Sequence, residues 1–553
     1  MLLSLSSELI SEVLNDVDCE TLVRCREICT RLQDIISNDI RIQYRLELFA
    51  QNMVDCGPLS AAAMSTSARL EALKSFKWSH IPKPNHHGVI DLAKFPVIGI
   101  QGHTSTNNIE IRNFVPVDGN LVEEGYQGRE QRLEGCSWHE TPGMVYLQNK
   151  SVLHLVQLPG PVRGIPLKEW RVDTGMSGSW KPYMDGQQDL LVLIPQLVPF
   201  TDRVPFHLRR MTNGAEHPLA SFPDMVFMLT TGHLVADGSL YPTTQYERTH
   251  PLLAIYEQYI IITVQRAWGS KIPAKVIILD WKSGRIVKRW LIPFLRSIRF
   301  LDSRTLICRI VEGTTSPITP HFQIYDITQG DGVDEGFRPI PILTLNCSPQ
   351  PICLMSFGIH FANEHSVPAV GTDPPFHSNP GGMIYFSTTW NDEDDKRTTL
   401  LLFTSASHLL EFVSKERAQN PNLGITETQT LDLESWPNCT FTPVGNTTLP
   451  TFSAYGMRAI FSVRVGTLRD NWMIDFNTRS WRKDTPAHDE EDEALPLKDF
   501  TARNFPTPIA RKVHSSGEYG SLHLVEDGII GLNERGSRYG NVVIIKTETG
   551  YTD

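Results

Sequence analysis

Two groups of residues carry the thiol and imidazole side chains that bind zinc in proteins: Cys347, Cys353, His360 and His365, and the adjacent pair His86 and His87. Structural zinc sites take four such ligands at short, recurring spacings. Neither group has a spacing of that kind, so we interpret these side chains as ordinary loop or core residues. We therefore expect no metal ion and no cofactor.

The sequence contains no motif for nucleophilic or phosphate chemistry. The segment 175–178, Gly-Met-Ser-Gly, is one residue short of the Gly-x-Ser-x-Gly motif that presents a nucleophilic serine. No glycine-rich phosphate loop or dinucleotide fingerprint occurs. Paired carboxylates would need a shared pocket, which sequence spacing does not predict among the loops of a β protein. We expect that the chain is not an enzyme, with a catalytic pocket at the centre of a β body as an alternative.

The densest charge clusters are two acidic runs, Asp-Glu-Asp-Asp at 392–395 and Asp-Glu-Glu-Asp-Glu at 489–493. Such runs could bind a basic substrate. Blocks of like charge also repel one another and are typical of solvated loops. We favour the solvated-loop interpretation for both.

Composition and charge narrow the class of protein. The chain has 553 residues, of which 41% are hydrophobic and 20% charged, so it is long enough for several units with sizeable cores. Its net charge of −11 disfavours nucleic acid or an anionic membrane as the main partner. We expect no nucleic acid and no membrane among its partners.

The sequence also predicts a cytoplasmic or nuclear protein. Its nine cysteines form no regular framework, which favours reduced thiols over disulfides. Glu8, Glu12 and Asp16 interrupt the apolar opening, so a secretory signal is not expected. No apolar run approaches the length of a membrane span.

The N-terminal residues have the helical periodicity that would position a docking surface. Helical spacing relates two sets of apolar residues: Leu9, Val13, Leu14 and Val17, and then Leu22, Cys25, Ile28, Cys29, Leu32, Ile35 and Ile36. Ser6 is a candidate N-cap for the first helix and Asp18 for the second. So short a segment cannot bury its apolar faces alone, and the rest of its core must come from a partner or from the remaining chain.

The order of residues in this opening resembles the F-box. The matching positions are Leu5, Glu8 and Leu9, then Val13-Leu14, then Asp18 and Leu22, and finally Arg26-x-Ile28-Cys29-x-Arg31-Leu32. The resemblance covers about the first tenth of the chain. The family usually has Pro at the position of Ser6 and Trp at that of Leu32, so a helix-start residue and a large apolar residue are kept.

The F-box resemblance implies docking to the Skp1 adaptor of a cullin–RING ubiquitin ligase. The apolar residues that we expect a Skp1-type partner to cover are Leu5, Leu9, Val13, Leu14, Leu22, Ile28, Leu32 and Ile35. The alternative is an ordinary amphipathic helix pair that packs on the rest of the chain.

A spacer is predicted to follow the F-box-like module. The segment 40–48 alternates like a strand but continues the module better as a helix, which we favour. The segment 65–78 also predicts a helix, capped by Ser65 or Ser67 and bridging the module to the body as a stiff spacer. The Pro-containing segment 81–88 predicts a linker.

From Phe95 onward, short β-rich runs recur between Gly, Pro, Asn and Asp. Seven groups of such runs lie near residues 144–172, 189–209, 259–290, 298–326, 383–412, 459–481 and 522–545. This number fits a β-propeller of about seven blades, although the spacing is irregular and tandem β-sandwiches are an alternative. WD40 and leucine-rich repeat signatures do not appear.

The sequence therefore predicts a multidomain chain: an all-α F-box module at 1–48, a helical spacer and linker at 49–94, and an all-β, propeller-like body at 95–553. The resemblance implies a substrate-recognition adaptor of a Skp1–cullin–F-box ligase, with an unknown protein substrate held by the body. The alternative is a non-ligase interaction protein whose N-terminal helices pack on its own body.

Overall fold

The computed structural model describes a helical N-terminal part and a large β-rich body. The described residues are 4–51, 53–56, 64–75, 87–90, 103–105, 108–112, 132–134, 144–149, 152–157, 165, 168–176, 180–195, 203–228, 250–265, 273–312, 319–329, 337–346, 353–361, 375–378, 383–391, 397–432, 435–436, 439–444, 451–455, 458–465, 468–476, 501–503, 509–513, 521–525, 528–533 and 541–546.

Five of the six described helices come first: α1 (Ser7–Asn15), α2 (Cys19–Ile28), α3 (Thr30–Asn38), α4 (Ile40–Gln51) and α5 (Thr66–Ser75), with α6 (Ala406–Gln419) inserted in the body. The helix predicted over 40–48 is confirmed, as is that predicted from residue 65 onward. Asp18 accepts a hydrogen bond from the Thr21 backbone N–H at 2.8 Å, and Ser65 accepts one from Ala68 at 3.2 Å, so both act as N-caps. Ser6 occupies the N-cap position of α1 without a side-chain capping bond.

Strands of the first half of the chain are β1 (Met53–Asp55), β2 (His87–Ile90), β3 (His103–Ser105), β4 (Asn108–Arg112), β5 (Arg132–Glu134), β6 (Met144–Asn149), β7 (Val152–Gln157), β8 (Lys168–Asp173), β9 (Trp180–Asp185), β10 (Leu190–Pro195), β11 (Arg203–Arg210), β12 (Asp224–Met228), β13 (His250–Tyr256), β14 (Tyr259–Gln265), β15 (Ala274–Asp280) and β16 (Arg285–Ile292).

Strands of the second half are β17 (Leu295–Phe300), β18 (Thr305–Glu312), β19 (Thr319–Asp326), β20 (Leu343–Asn346), β21 (Cys353–Phe361), β22 (Phe376–Ser378), β23 (Met383–Asn391), β24 (Arg397–Ser405), β25 (Gln429–Leu431), β26 (Cys439–Val444), β27 (Thr451–Tyr455), β28 (Arg458–Val465), β29 (Leu468–Asp475), β30 (Thr501–Arg503), β31 (Ile509–Val513), β32 (Ser521–Val525), β33 (Gly528–Asn533) and β34 (Asn541–Lys546).

These strands form consecutive antiparallel sheets. In chain order the sheets are β3-β4-β5, β6-β7-β8, β12-β11-β10-β9, β13-β14-β15-β16, β17-β18-β19-β20-β25, β21-β23-β24-β26-β30, β27-β28-β29-β31 and β2-β34-β33-β32, with β1-β22 as a separate pair. Only the β20–β25 contact among them is parallel. The prediction of a small helical part and a large body of antiparallel sheets is confirmed.

Each of the seven β-rich groups predicted from the sequence corresponds to one of these sheets. The sheet β3-β4-β5 was not predicted, because its strands are only three to five residues long. The last run of the group predicted at 383–412, residues 409–412, was interpreted as a strand, and this is wrong: these residues lie in α6, whose first turn is capped by Ser405. Their apolar side chains instead pack on the cluster between two neighbouring sheets.

Apolar clusters fill the space between consecutive sheets. One joins β9–β12 to β13–β16 around Trp281, and another joins β13–β16 to β17–β20 around Trp290. Strand β14 contributes to both, because Ile260 and Ile262 point into the first cluster and Ile261 into the second. A strand buried on both faces favours apolar residues on both, which explains the apolar run from Tyr259 to Ile262.

Strand β1 connects the helical part to the body by antiparallel pairing with β22. The Tyr44 hydroxyl lies 3.1 Å from Asp55 Oδ1 and 3.4 Å from the Pro375 carbonyl oxygen. Arg69 of α5 donates to the same Asp55 oxygen at 2.8 Å, and its guanidinium covers the Tyr44 ring at 5.2 Å. Burial raises the pKa of Tyr44 well above its usual value, and the negative charge of Asp55 raises it further. The hydroxyl therefore stays a neutral donor. We call this group of contacts the joint.

The segment 49–94, predicted as a spacer, thus contains β1, α5 and β2, and α5 packs against α4. Strand β2 pairs with β34 near the other end of the chain. Among the described residues, no helix combines the length and the apolar character needed to cross a membrane.

Asp326 fastens α6 to the body. Its carboxylate is almost fully buried and accepts hydrogen bonds from the Thr328 backbone N–H and hydroxyl, both at 2.7 Å, and from the Arg417 guanidinium. Burial alone would raise the pKa of Asp326, but the hydrogen bonds from Thr328 and the charge of Arg417 outweigh it and lower the pKa below its usual value.

Replacing Arg417 by Met should therefore cost stability in a pH-dependent way. We expect a loss of about 1–3 kcal/mol in the free energy of unfolding near neutral pH, because a buried carboxylate loses its charged donor. A lowered folded-state pKa contributes stability above the unfolded pKa of about 3.9, and that contribution disappears as the pH falls through the folded-state value. The difference in the free energy of unfolding between R417M and wild type should accordingly shrink below about pH 4.

Urea unfolding followed by circular dichroism at a series of pH values measures this difference. K415M, at an exposed position of the same helix, is the control and should unfold like wild type. A loss in R417M that stays constant across the pH series would contradict the role assigned to Asp326.

Candidate functional site

Helices α1 to α4 enclose an apolar cluster of their own, which we call the helical cluster. Its buried members are Ile10, Leu14, Leu22, Leu32, Ile36, Ile42 and Leu46. Val17, Cys19, Cys25, Cys29 and Ile35 pack at its edge. The helices therefore close a core among themselves, and no side chain from the described part of the β body belongs to it.

Helix α1 has a second apolar face that this cluster does not use. Ile10 and Leu14 point inward, whereas Leu9 and Val13 are 54% and 46% exposed. Successive residues of a helix are separated by about 100°, so Leu9 and Val13 form a stripe beside the buried one. Leu5, just before α1, is also exposed. We call Leu5, Leu9 and Val13 the α1 stripe.

Exposed apolar residues also occur on the neighbouring helices. Ile28, the last residue of α2, is 68% exposed, and Val23 of the same helix and Ile40 at the start of α4 are exposed as well. Val23 and Ile40 were not singled out from the sequence. The exposed Val23 adjoins the buried Leu22, and periodicity alone does not show which flank of a stripe the core covers.

The eight residues predicted as a docking face thus fall into three groups. Leu5, Leu9, Val13 and Ile28 are exposed, Leu14, Leu22 and Leu32 are buried in the helical cluster, and Ile35 is partly buried at its edge. The structure gives the buried residues a packing role within the chain. A partner could reach only the exposed ones without rearranging the helices.

Arg45 fixes the turn between α1 and α2. Its guanidinium donates to the Asn15 carbonyl and, at 2.8 Å, to that of Val17, and lies 3.4 Å from the Leu14 carbonyl oxygen. The last carbonyl groups of a helix have no partner within the helix. Arg45, from α4, supplies donors for them and so holds the end of the α1 stripe in place.

Asp39 fixes the other side of α1. Its carboxylate accepts the backbone N–H groups of Arg41 and Ile42 at 2.8 and 3.2 Å, which begins α4, and it also accepts the Ser11 hydroxyl. Burial would raise the pKa of Asp39, but these hydrogen bonds, Ser11 foremost, outweigh it and lower the pKa. The α1 stripe is therefore presented on an anchored helix.

Charged groups surround the α1 stripe. Arg41 pairs with Glu12 at 2.7 Å, and Arg31 of α3 donates to the Leu5 carbonyl oxygen at 2.8 Å. Both contacts are exposed, so they contribute little to stability. The arrangement is an apolar centre with a polar border, as in many protein–protein interfaces.

Most of the other candidate residues lie outside the described residues: both acidic runs, 392–395 and 489–493, together with His86, Cys347 and His365. His87 belongs to β2, and Cys353 and His360 belong to β21. Gly175 is described, with a positive φ of 63°, but residues 177–178 are not. Within the described part of the chain, no group of three or more His, Cys, Asp or Glu residues could hold a metal ion.

No family model and no curated protein matches the sequence. Among solved structures, hydrazine synthase of Kuenenia stuttgartiensis is similar over 78% of this chain and 99% of its own, at 10% identity and a TM-score of 0.35. A eukaryotic initiation factor is similar over 80% and 90%, at 6% identity and a TM-score of 0.29. Oligopeptidase B of Leishmania major is similar over 79% and 58%, at 10% identity and a TM-score of 0.27. Similarities this low carry no argument about fold or function.

The division of α1 into a buried and an exposed stripe can be tested with two identical substitutions. L14A should destabilise the helical cluster by about 2–5 kcal/mol, because it leaves a cavity in a closed core. L9A should change its stability by less than about 0.5 kcal/mol, because Leu9 lies mostly in water. Amide hydrogen exchange of residues 7–51 in the full chain measures both. Equal loss of protection in the two variants would contradict this division.

Proposed function

We propose that this chain is the substrate-recognition adaptor of a Skp1–cullin–F-box ubiquitin ligase. One observation carries the proposal: the α1 stripe is exposed on helices that already have a closed core. Leu9 and Val13 are not needed to fill the helical cluster, so their apolar character fits a role outside the chain. The same residues resemble the F-box, and this resemblance indicates a partner of the Skp1 type.

The docking face in this proposal is narrower than the apolar set predicted from the sequence. It consists of the α1 stripe and Ile28, and Val23 is a further exposed apolar residue of α2. Single exposed apolar residues are normal on protein surfaces, but grouped ones mark interaction sites. Leu14, Leu22 and Leu32 act indirectly, because they hold the docking helices in position.

For the body we propose a propeller-like arrangement that binds the substrate. The first strands of consecutive sheets contact one another, β9 with β13 and β13 with β17, and likewise β21 with β27 and β27 with β32. Sheets stacked through their first strands are typical of blades around an axis. The β2–β34 pairing, which joins strands from the two ends of the body, is consistent with such an arrangement.

The mechanism in this proposal is proximity and involves no covalent chemistry by this chain. One part binds the ligase and the other holds a protein substrate, which raises its effective concentration at the ubiquitin-carrying enzyme. The joint supports this role, because β1–β22 pairing and the Tyr44, Asp55 and Arg69 contacts tie the helices to the body. A cytoplasmic or nuclear location belongs to the same proposal.

A second candidate is a non-ligase interaction protein whose N-terminal helices stabilise its own body. The joint favours this candidate too, since Phe376 of β22 is fully buried where β1 pairs. Removal of residues 1–51, which leaves β1 paired with β22, separates the two. A large fall in the melting temperature of the remaining body would favour the second candidate, and a small one the adaptor.

The docking face itself is tested by L9D combined with V13D. Charges placed in an apolar interface cannot be solvated there, so co-purification of the full chain with Skp1 should be lost. I425D, at another exposed apolar residue (61% exposed) in the body, is the matched control and should bind like wild type. Circular dichroism should be unchanged for both, since all three positions are exposed. Undiminished Skp1 binding by the L9D/V13D chain would overturn the proposal.

A further inference from the structure

The body carries its own group of exposed apolar side chains, where the sheet β9–β12 meets the sheet β13–β16. Leu219, Phe222 and Val226 are 57%, 57% and 58% exposed. All three lie in the eight-residue stretch 219–226, which covers the end of the β11–β12 connection and the start of β12. We call them the 219–226 patch. Neither the proposed Skp1 contact nor any motif in the sequence uses it.

The segment that carries the patch is held firmly against the next sheet. Ser221 donates to the Lys282 carbonyl oxygen through its backbone N–H at 3.0 Å and through its hydroxyl at 2.7 Å. The His217 ring meets the buried Trp281 edge-on at 4.8 Å. The patch is therefore displayed on an ordered surface that spans two sheets.

Phe222 covers the turn that follows β15. Gly284 there has a positive φ of 70°, and a Cβ at this position would lie 2.3 Å from the Phe222 ring. Only glycine allows the ring to lie so close while the turn keeps its conformation. Phe222 thus lies against the turn, with more than half of its surface still exposed.

Alternation along β12 explains the outward direction of Val226. Met225 and Phe227 pack on the apolar cluster between the two sheets, so the residue between them points away from it. Among the described residues, β12 is also the outer strand of its sheet. An outer strand can accept an additional extended segment through its main-chain groups.

The charges beside Phe222 are basic. Lys282 and Arg285 flank Gly284 and are exposed, with the Lys282 ammonium 5.4 Å from the Trp281 ring. The acidic Asp224 is engaged, because its Oδ1 accepts His207 Nδ1 at 2.6 Å and the Arg209 guanidinium. Glu216 and Glu257 are also exposed, and Lys282 and Arg285 are the exposed basic residues on either side of Gly284.

We propose that the 219–226 patch binds an extended, acidic segment of a partner protein whose apolar side chains cover Leu219, Phe222 and Val226. Lys282 and Arg285 provide the charge complementarity, and the outer edge of β12 provides main-chain partners. This inference rests on the proposed function, in which the partner is the substrate of the adaptor. Two exposed basic residues are too few for a nucleic-acid surface, and the net charge of the chain is −11.

A pair of synthetic peptides tests the inference in the full chain. The probe is a fluorescein-labelled Asp-Leu-Asp-Val-Asp-Leu-Asp peptide, and the comparison peptide has Lys in place of each Asp. Fluorescence anisotropy should show saturable binding of the acidic peptide that weakens as salt is raised. The Lys peptide should bind at least tenfold more weakly.

Two sets of variants locate the binding. L219S combined with V226T removes apolar contacts at exposed positions, and K282E combined with R285E reverses the charge. Each pair of substitutions should weaken binding of the acidic peptide at least tenfold. I425S and K415E are the matched controls at exposed positions elsewhere in the body and should bind like wild type.

Three outcomes overturn the inference: absent binding of the acidic peptide, equal binding of both peptides, or unchanged binding by both variant pairs. Binding to phosphatidylserine vesicles that these variants abolish, without peptide binding, would assign the patch to a membrane surface instead. The L9D/V13D chain should bind the peptide normally. Skp1 binding that L9D/V13D leaves intact would refute the proposed function alone, whereas absent peptide binding by a chain that binds Skp1 would refute this inference alone.

Discussion

Burial of both faces of the central strands is the constraint on which the body depends. Ile260 and Ile262 of β14 face one neighbouring sheet and Ile261 faces the other, so this sheet cannot satisfy its apolar surface alone. Each sheet therefore requires a neighbour on either side, and the chain provides them in sequence order. Side chains at the outer strands are released from this requirement. The 219–226 patch lies at such a position, where exposed apolar residues contribute nothing to the interior and are available for a partner.

The helical part buries its apolar side chains in one closed core of its own. Four short helices close one small core around Leu14, Leu22 and Ile36, and polar groups of Arg45 and Asp39 complete the ends of α1 and α4. Closure of this core fixes the direction of every α1 side chain. The α1 stripe lies outside this core, yet its residues are apolar. Exposed apolar residues lower solubility and contribute little to folding. That asymmetry is the physical basis of the proposed docking role.

Much of this architecture could be predicted from the sequence, and the failures have physical causes. Caps such as Asp18 and Ser65, and strands with continuous or alternating apolar residues, act locally, so their patterns identify the elements. Leu409 and Phe412 were assigned to a strand because a short apolar run fits either element, and the cap at Ser405 decides for a helix. Whether Leu9 or Leu14 faces the core depends on how four helices pack, which is a tertiary property. The β1–β22 pairing likewise joins residues more than 300 positions apart and leaves no local signal.

The joint gives the two proposed binding surfaces a fixed relationship within one molecule. A flexible linker would let the substrate-binding part sample many positions, and effective concentration falls as the sampled volume grows. Here the strand pair, the Tyr44 hydroxyl and the Arg69–Asp55 ion pair, whose arginine is largely buried, replace a flexible connection by several simultaneous contacts. The β1–β22 pairing and the contact of the Tyr44 hydroxyl with the Pro375 carbonyl cross to the body, and the Arg69–Asp55 ion pair holds α5 to β1. An adaptor that works by proximity would gain from such a connection, because it limits the volume that a bound substrate samples.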